Sequence, residues 1–292
     1  MMKRVTRKWI IGGAGILLPV LLLAILHIAY PLDLSRYHSL STEVVDRTGQ
    51  PLRQYLSADG YLRLATRPED VDPNYIKMLI AYEDQRFYSH VGVDPLALIR
   101  ATGQAIRSGH VVSGASTLTM QAARLLEPRD RTFSAKLIEM FRALQLEITY
   151  SKREILSIYL TLAPFGGNRE GVRAASLGYF NRPPSQLTAG EAALLVALPQ
   201  SPSFNRPDRH PARARAARDK ILQRIRDSKA FAPDVIDLAL KEPISTQTYP
   251  LPQTAPHLAN RLKQAARSSR IASSIDGDLQ RWNEDALARY LT

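Results

Sequence analysis

Apolar positions change their spacing several times along this chain. From Ile10 to Tyr30 there is no Asp, Glu, Lys or Arg, and a helix over those 21 residues would be about 31 Å long, close to the thickness of a bilayer core. Lys3, Arg4, Arg7 and Lys8 precede the run, and Trp9 and Tyr30 bracket it as interfacial anchors would. Gly12, Gly13, Gly15 and Pro19 are tolerated inside a membrane helix. The pattern predicts a cytoplasmic tail over 1–9, an uncleaved transmembrane anchor over 10–30, and the remainder outside the cytoplasm. A cleaved signal peptide is the rival, but the run is long for one, and Ala24 and Ala29 are poorly spaced for cleavage.

Residues 31–72 then read as a linker with short strands: Ser41–Asp46 and Gln54–Leu56 flank the turn Thr48-Gly49-Gln50-Pro51, a hairpin signal. From Asp72 the period becomes helical. Helices are expected over 73–82, over 95–108 behind Asp94-Pro95, and from Ser116-Thr117 to Glu127. Another should run from a Ser134 cap to Tyr150, with Leu137, Phe141, Leu144 and Ile148 as its buried stripe. The capping boxes Ser151–Glu154 and Thr188–Glu191 open helices to Leu162 and over 192–198. Helices over 169–179 and 211–228 complete a mainly α domain spanning 73–241. After Lys241 the Pro, Ser and Thr content marks 242–292 as a second linker. The apolar residues Leu96, Leu98, Ile99 and Ile106 are spread too widely for one narrow stripe, so that helix is either loosely packed or in contact with lipid.

Composition narrows the partners. The 292 residues include no cysteine, which removes disulfides and thiol chemistry, and the net charge is +12, which calls for an anionic partner. Outside the cytoplasm that partner is not nucleic acid; anionic lipid or a phosphate-bearing substrate remains. The basic helix (Arg213, Arg215, Arg218, Lys220, Arg224, Arg226) reads first as a solvated face and second as a lipid contact.

Two stretches carry candidate chemistry. Glu83-Asp84 sits where an apolar helix meets a polar loop, and partial burial there would raise a carboxyl group toward the range useful for proton transfer. The plainer reading is a solvated pair closing a helix. Gly114-Ala115-Ser116-Thr117 before a helix makes an anion cradle, although Ser and Thr cap most helices. Lys136 and Glu139 share a helix face, which by itself is a surface ion pair of little value.

Together these segments resemble the peptidoglycan glycosyltransferases, glycosyltransferase family 51, which form the N-terminal half of class A penicillin-binding proteins. The family pattern Glu-Asp-x-x-Phe-x-x-His-x-Gly is met by Glu83, Asp84, Phe87, His90 and Gly92. Gly-x-Ser-Thr-Leu-Thr-x-Gln is met by Gly114, Ser116, Thr117, Leu118, Thr119 and Gln121. Lys-x-x-Glu is Lys136 and Glu139, and Ser-Lys-x-x-Ile-Leu-x-x-Tyr-Leu is met by Ser151, Lys152, Ile155, Leu156, Tyr159 and Leu160. The four fall in order over about 80 residues, within a resemblance covering roughly residues 40 to 240. Ala163–Asn168 and Ala197–Pro202 are most similar to the 1C type of these proteins. Two positions depart: Thr161 stands where the family usually has Asn, and Met120 where it usually has Gln.

The resemblance implies a lysozyme-like glycosyltransferase fold with a small membrane-associated jaw that would include residues 93–112. It implies that the acceptor is lipid II, a disaccharide-pentapeptide on undecaprenyl diphosphate, and the donor a growing glycan strand on the same carrier. The acceptor 4-hydroxyl attacks the donor anomeric carbon and the lipid diphosphate leaves. An alcohol nucleophile needs a base, a diphosphate leaving group needs cations, and an inverting displacement needs no covalent intermediate. On this resemblance Glu83 is the general base. Arg124, Arg131 and Lys136 meet the diphosphate, with Lys152 also available, and Asp84, His90, Ser116, Thr117 and Gln121 bind substrate. Glu139 is the second catalytic carboxylate, holding a divalent cation (Mg or Mn) or ordering the basic cluster; no organic cofactor is implied. The implied setting is the bacterial inner membrane, single-pass, with the catalytic domain on the periplasmic side and other cell-wall synthesis proteins as partners. Ser274–Gln280 looks like the entry to a transpeptidase domain, and with no Ser-x-x-Lys or Lys-Thr-Gly in the sequence that domain is expected to be absent. A lysozyme-type lytic enzyme and a non-catalytic membrane scaffold are the competing readings.

Overall fold

The computed structural model describes residue 21, residues 23–108 and residues 116–291. The chain divides after Asp33 into two compact units. In the first, residues 23–29 are helical. Most of the expected anchor, residues 10–20 and 22, lies outside the described residues, and among those described no helix is long and apolar enough to cross a membrane.

The second unit, Leu34–Thr292, is mainly helical. Its helices are α1 (Pro73–Glu83), α2 (Pro95–Ser108), α3 (Leu118–Leu126), α4 (Phe133–Thr149), α5 (Lys152–Leu162) and α6 (Val172–Phe180). Then follow α7 (Ala189–Ala197), α8 (Pro211–Asp227), α9 (Pro233–Lys241), α10 (Pro256–Ala265) and α11 (Gly277–Leu291). Helix α7 is apolar apart from Glu191 in its first turn, and Ala192 to Ala197 are all buried because α1, α8 and α9 surround it. Each buried Leu of such a helix contributes about 1.5–3 kcal/mol. Helix α5 is buried from Ile155 to Leu162, and α3 packs between it and α4. The N-termini follow the sequence signals: Asp72 accepts from the Asn74 amide, and Ser151 and Thr188 form the two capping boxes.

The two segments read as linkers are joined in one sheet. Strand β1 (Thr42–Val45) pairs antiparallel with β2 (Pro51–Tyr55), as the hairpin signal predicts. On its other edge it pairs in parallel with β5 (Arg270–Ala272), in the register Glu43 with Arg270 and Val44 with Ile271. Val44, Leu52, Ala259 and Ile271 make a small core beneath that sheet. The segment 242–292, expected to be linker, also carries helices α10 and α11; its Pro, Ser and Thr residues lie largely outside those helices, and a three-residue strand has no readable period. A second pair, β3 (Leu62–Arg63) with β4 (Arg169–Glu170), carries a buried charge network. Arg63, fully buried, donates from Nε to Glu170 Oε2 at 2.7 Å and from Nη1 to the Ser39 carbonyl at 2.7 Å, and Arg36 also pairs with Glu170. Breaking a buried pair of this kind costs about 3–5 kcal/mol.

Three helix expectations need correction. Helix α4 is capped by Thr132, whose hydroxyl accepts from the Ala135 amide, rather than by Ser134. Arg169 and Glu170 form strand β4, and the helix expected over 169–179 starts at Val172. The stripe Leu137–Ile148 is not the buried face of α4: Leu137 is 51% and Ile148 71% exposed, while Ala143 and Leu146 are buried. Apolar periodicity locates an apolar face without saying that protein covers it.

Candidate active site

The site is built where α1 runs out. Tyr75, Met78 and Leu79 fix the buried side of that helix, and its last residue is Glu83. Glu83 is half-buried and held from two sides. Gln121 Nε2 on α3 donates to Oε2 at 2.9 Å, and Gln200 Nε2 donates to Oε1 at 2.9 Å. Two neutral amides orient the carboxylate without bringing a positive charge against it. Tyr75 and Tyr159 lie close by: burial foremost, with the charge of Glu83 added, pushes both phenols far above their usual range. They stay neutral beside it.

Asp84 and His90 are enclosed. His90 Nε2 bonds the two Asp84 oxygens at 3.0 and 2.9 Å, and Asp84 Oδ2 also accepts the Leu118 amide at 2.9 Å. One carboxylate therefore ties the segment after α1 to the first turn of α3. Thr117 continues the joint. Its hydroxyl caps α3 by accepting from the Met120 amide at 3.1 Å and donates to the Gly92 carbonyl at 2.5 Å. Gly92 has φ +87°, and a Cβ there would lie 2.7 Å from the Ala143 carbonyl oxygen, so only glycine fits this crossing of α4. Of the residues expected to bind substrate, Asp84 and Thr117 line the cleft described next and are bonded within the protein, and His90 bonds Asp84 through Nε2 while its buried Nδ1 has no partner.

Glu83 opens into a cleft of about 1330 Å3. Ser116, Gln121, Arg124, Arg131, Lys136 and Glu139, on α3, α4 and the segments beside them, make a wall of the same cleft. Lys136 Nζ donates to Ser116 Oγ at 2.6 Å and to Glu139 Oε1 at 2.7 Å. Arg124 and Arg131 have no ion-pair partner among the described residues. Arg142 joins the wall and pairs with Glu127 at 3.0 Å. Asp94 stands at the start of α2. Burial would raise its carboxyl, but the Arg86 guanidinium and the Ala97 and Leu96 amides outweigh that and hold it below its usual range.

Lys152 is not part of this wall. It donates to Glu147 Oε1 at 2.6 Å, an oxygen that also accepts from Thr119 Oγ1 at 2.6 Å, and its ammonium lies 4.6 Å from the centre of the Phe87 ring. Those contacts hold it inside the joint between α3, α4 and α5. Thr161 is buried as well; its hydroxyl accepts from the Thr66 amide at 3.1 Å. No three His, Cys, Asp or Glu side chains among the described residues come together as metal ligands. Glu139, the residue expected to hold a divalent cation, places Oε1 on the Lys136 ammonium.

The structure adds Gln200, Arg142, Lys220 and Arg224 to the site. Helical spacing could have found Arg142, which follows Lys136 and Glu139 at three-residue steps. Gln200 comes from a Pro-containing turn 117 positions from Glu83, and no local pattern links the two.

A family model described as Transglycosylase matches residues 48–226, more than half of the chain. Penicillin-binding protein 1C of Escherichia coli (strain K12) is 45% identical over 242 residues, covering 83% of this chain and 31% of that protein. Penicillin-binding protein 1A of Aquifex aeolicus is 31% identical over 86% of this chain and 36% of its own length. Penicillin-binding protein 1A of Escherichia coli is 37% identical over 72% of this chain and 26% of its own length. The chain thus spans between about a quarter and about a third of these relatives.

Proposed function

Because this chain belongs to the transglycosylase family, we propose that it polymerises lipid II into glycan strands, releasing undecaprenyl diphosphate. The observation that carries the reading is the placement of Glu83: a half-buried carboxylate held by two neutral amides, in one cleft with Arg124, Arg131 and Lys136. The acceptor 4-hydroxyl gives its proton to Glu83 as its oxygen bonds the donor anomeric carbon. The bond from that carbon to the diphosphate oxygen breaks with inversion. Arg124, Arg131 and Lys136 meet the negative charge that develops on the leaving group, the term that usually contributes most. Glu139 and Ser116 hold the Lys136 ammonium in place for it.

The setting is a membrane surface. Leu96, Phe133 and Ile138 border the cleft and are exposed, and Ile99, Leu137 and Ile148 extend the apolar surface on α2 and α4. A substrate on a polyprenyl carrier needs such a surface beside its binding site. This supports the membrane-associated jaw and a location at the inner membrane with the domain on its periplasmic side. A lytic enzyme would have no use for Arg124 and Arg131 unpaired in the cleft of its carboxylate, and a scaffold would not need Glu83 held in an open cleft.

Incubating the purified chain with lipid II and separating the products tests the reading. Glycan polymer and free undecaprenyl diphosphate are expected. Cleavage of added glycan, or no turnover at all, overturns it.

A further inference from the structure

We infer that Arg36, in the stretch that reads as linker in the sequence, is a positioning residue for Arg124, the cleft cation that would meet the leaving diphosphate. The role rests on the polymerase reading above. Helix α3 brings two groups to the cleft: Gln121, which holds Glu83, and Arg124 three residues later on the same face. How Arg124 is presented there depends on how the last turn of α3 is held.

The two ends of that helix are fixed by different parts of the chain. At the first turn, Asp84 accepts the Leu118 amide and Thr117 caps the helix. At the last turn of any helix the backbone carbonyls lack intrahelical partners. One of them here, the carbonyl of Leu125, accepts from Arg36 Nη1. Arg36 lies on a short helical turn, Ser35–His38, that packs against α3 and α5. A guanidinium is a planar, rigid fork of donors, so fixing one nitrogen aims the other. Arg36 Nη2 is fixed by Glu170 Oε1, on a side chain only 4% exposed. Arg63 holds Glu170 from Nε at 2.7 Å and donates from Nη1 to the Arg36 carbonyl at 3.1 Å. Backbone and side chain of Arg36 are thus both clamped, and the fork is delivered to the carbonyl of the residue next to Arg124. Glu170 keeps Arg63 as its cation without Arg36, so neutralising Glu170 does not account for the second arginine. What Arg36 adds is the bond to the end of α3, where a positive charge also suits the helix dipole. The plain alternative is an ion pair that only braces the fold, and the test separates the two.

Arg36→Met removes both contacts, whereas Arg36→Lys keeps a cation for Glu170 without the planar fork. Polymerisation by the full chain is followed with radiolabelled lipid II over a range of concentrations, so that slow rates can be read. Hydrogen exchange of the amides over 118–126 is measured on the same preparations. Arg36→Met should lower kcat about tenfold, the scale of a small misplacement of a group acting in the transition state, and leave the half-saturating lipid II concentration within about twofold. Arg36→Lys should lose less. Exchange should quicken in the last turn of α3 and not in its first. The deciding arm makes the same change in an Arg124→Ala chain. There Arg36→Met should slow polymerisation by less than about twofold, because the contact that Arg36 positions is already gone. A loss in that background as large as in the parent means that Arg36 braces the fold or acts through another group, and overturns the proposal. A normal kcat in Arg36→Met, a raised half-saturating concentration with kcat unchanged, or unaltered exchange in the last turn overturns it as well. If Arg36→Met does not fold, Arg36→Lys is read with and without Arg124→Ala, and the same outcomes decide. No polymer from the unaltered chain overturns the polymerase reading and this one with it. Polymer from the unaltered chain with a normal Arg36→Met variant overturns this one alone.

Discussion

Replacing Asp84 with alanine separates a structural joint from a substrate contact. The carboxylate accepts from His90 Nε2 at 2.9 Å and from the Leu118 amide at 2.9 Å, with the Asp84 and His90 side chains only 4% and 5% exposed. Asp84→Ala leaves two buried donors from different segments with no acceptor. Each orphaned donor costs about 1–3 kcal/mol, more where its lost acceptor is a carboxylate, so a loss of about 3–5 kcal/mol is expected. In a domain of this size each kcal/mol moves the thermal midpoint by about 2–4 °C, so the midpoint should fall by roughly 6–20 °C. Asp84→Asn keeps an oxygen for the Leu118 amide and an N–H for His90 in its other tautomer, and should recover more than half of the loss. Thermal unfolding by circular dichroism, with lipid II binding measured well below the transition, reads both effects. An unchanged midpoint with weakened lipid II binding would show that Asp84 contacts substrate and that the joint is wrongly drawn.

Gly92→Ala should lower the unfolding free energy measured in urea by more than the about 1–2 kcal/mol that the left-handed conformation alone costs, because its Cβ meets the Ala143 carbonyl; a wild-type midpoint refutes that packing. Gln200→Ala removes one donor from Glu83 and should slow polymerisation on the order of tenfold with no change in thermal midpoint, since a single charged hydrogen bond is lost at an exposed residue. An unchanged rate would remove Gln200 from the machinery. Lys136→Ala should slow polymerisation on the order of a hundredfold while thermal stability barely moves; unfolding instead would make Lys136 structural. Asp94 has its carboxyl held below the ordinary value of 3.8, so its contribution to stability is present above that pH and is lost as pH falls through the lowered value. Denaturation of Asp94→Asn beside the parent chain should show a stability gap at pH 7 that closes below about pH 3.8. A gap that stays constant refutes the electrostatic account.

The elements that the sequence makes legible are those whose signals are local. Asp72-Pro73, Ser151–Glu154 and Thr188–Glu191 mark helix starts by side chains that cap their own backbone, and the structure has a helix at each. The apolar face of α4 is equally visible, but its side is not: periodicity cannot distinguish a face covered by protein from one left open beside the cleft. The site divides the same way. Glu83, Lys136 and Glu139 stand in short patterns and prove to line one cleft. Within those same patterns, His90 and Lys152 prove to hold the segments together through Asp84 and Glu147, because a pattern preserves the joint as well as the chemistry. Gln200, Lys220 and Arg224 reach the cleft only through the packing of α7 against α1 and α8, which no local spacing encodes.

The central claim is that Glu83 takes the proton from the acceptor hydroxyl. Glu83→Gln keeps the shape and leaves an amide that can still meet Gln121 and Gln200, but it cannot act as a base. General-base assistance is worth roughly 100- to 10,000-fold in rate. Polymer formation and lipid II binding should be measured on the same preparation of this variant. The account predicts that polymer formation falls by at least about a hundredfold while binding stays within a few-fold of the parent chain. Near-normal polymer from Glu83→Gln would contradict it and require another base.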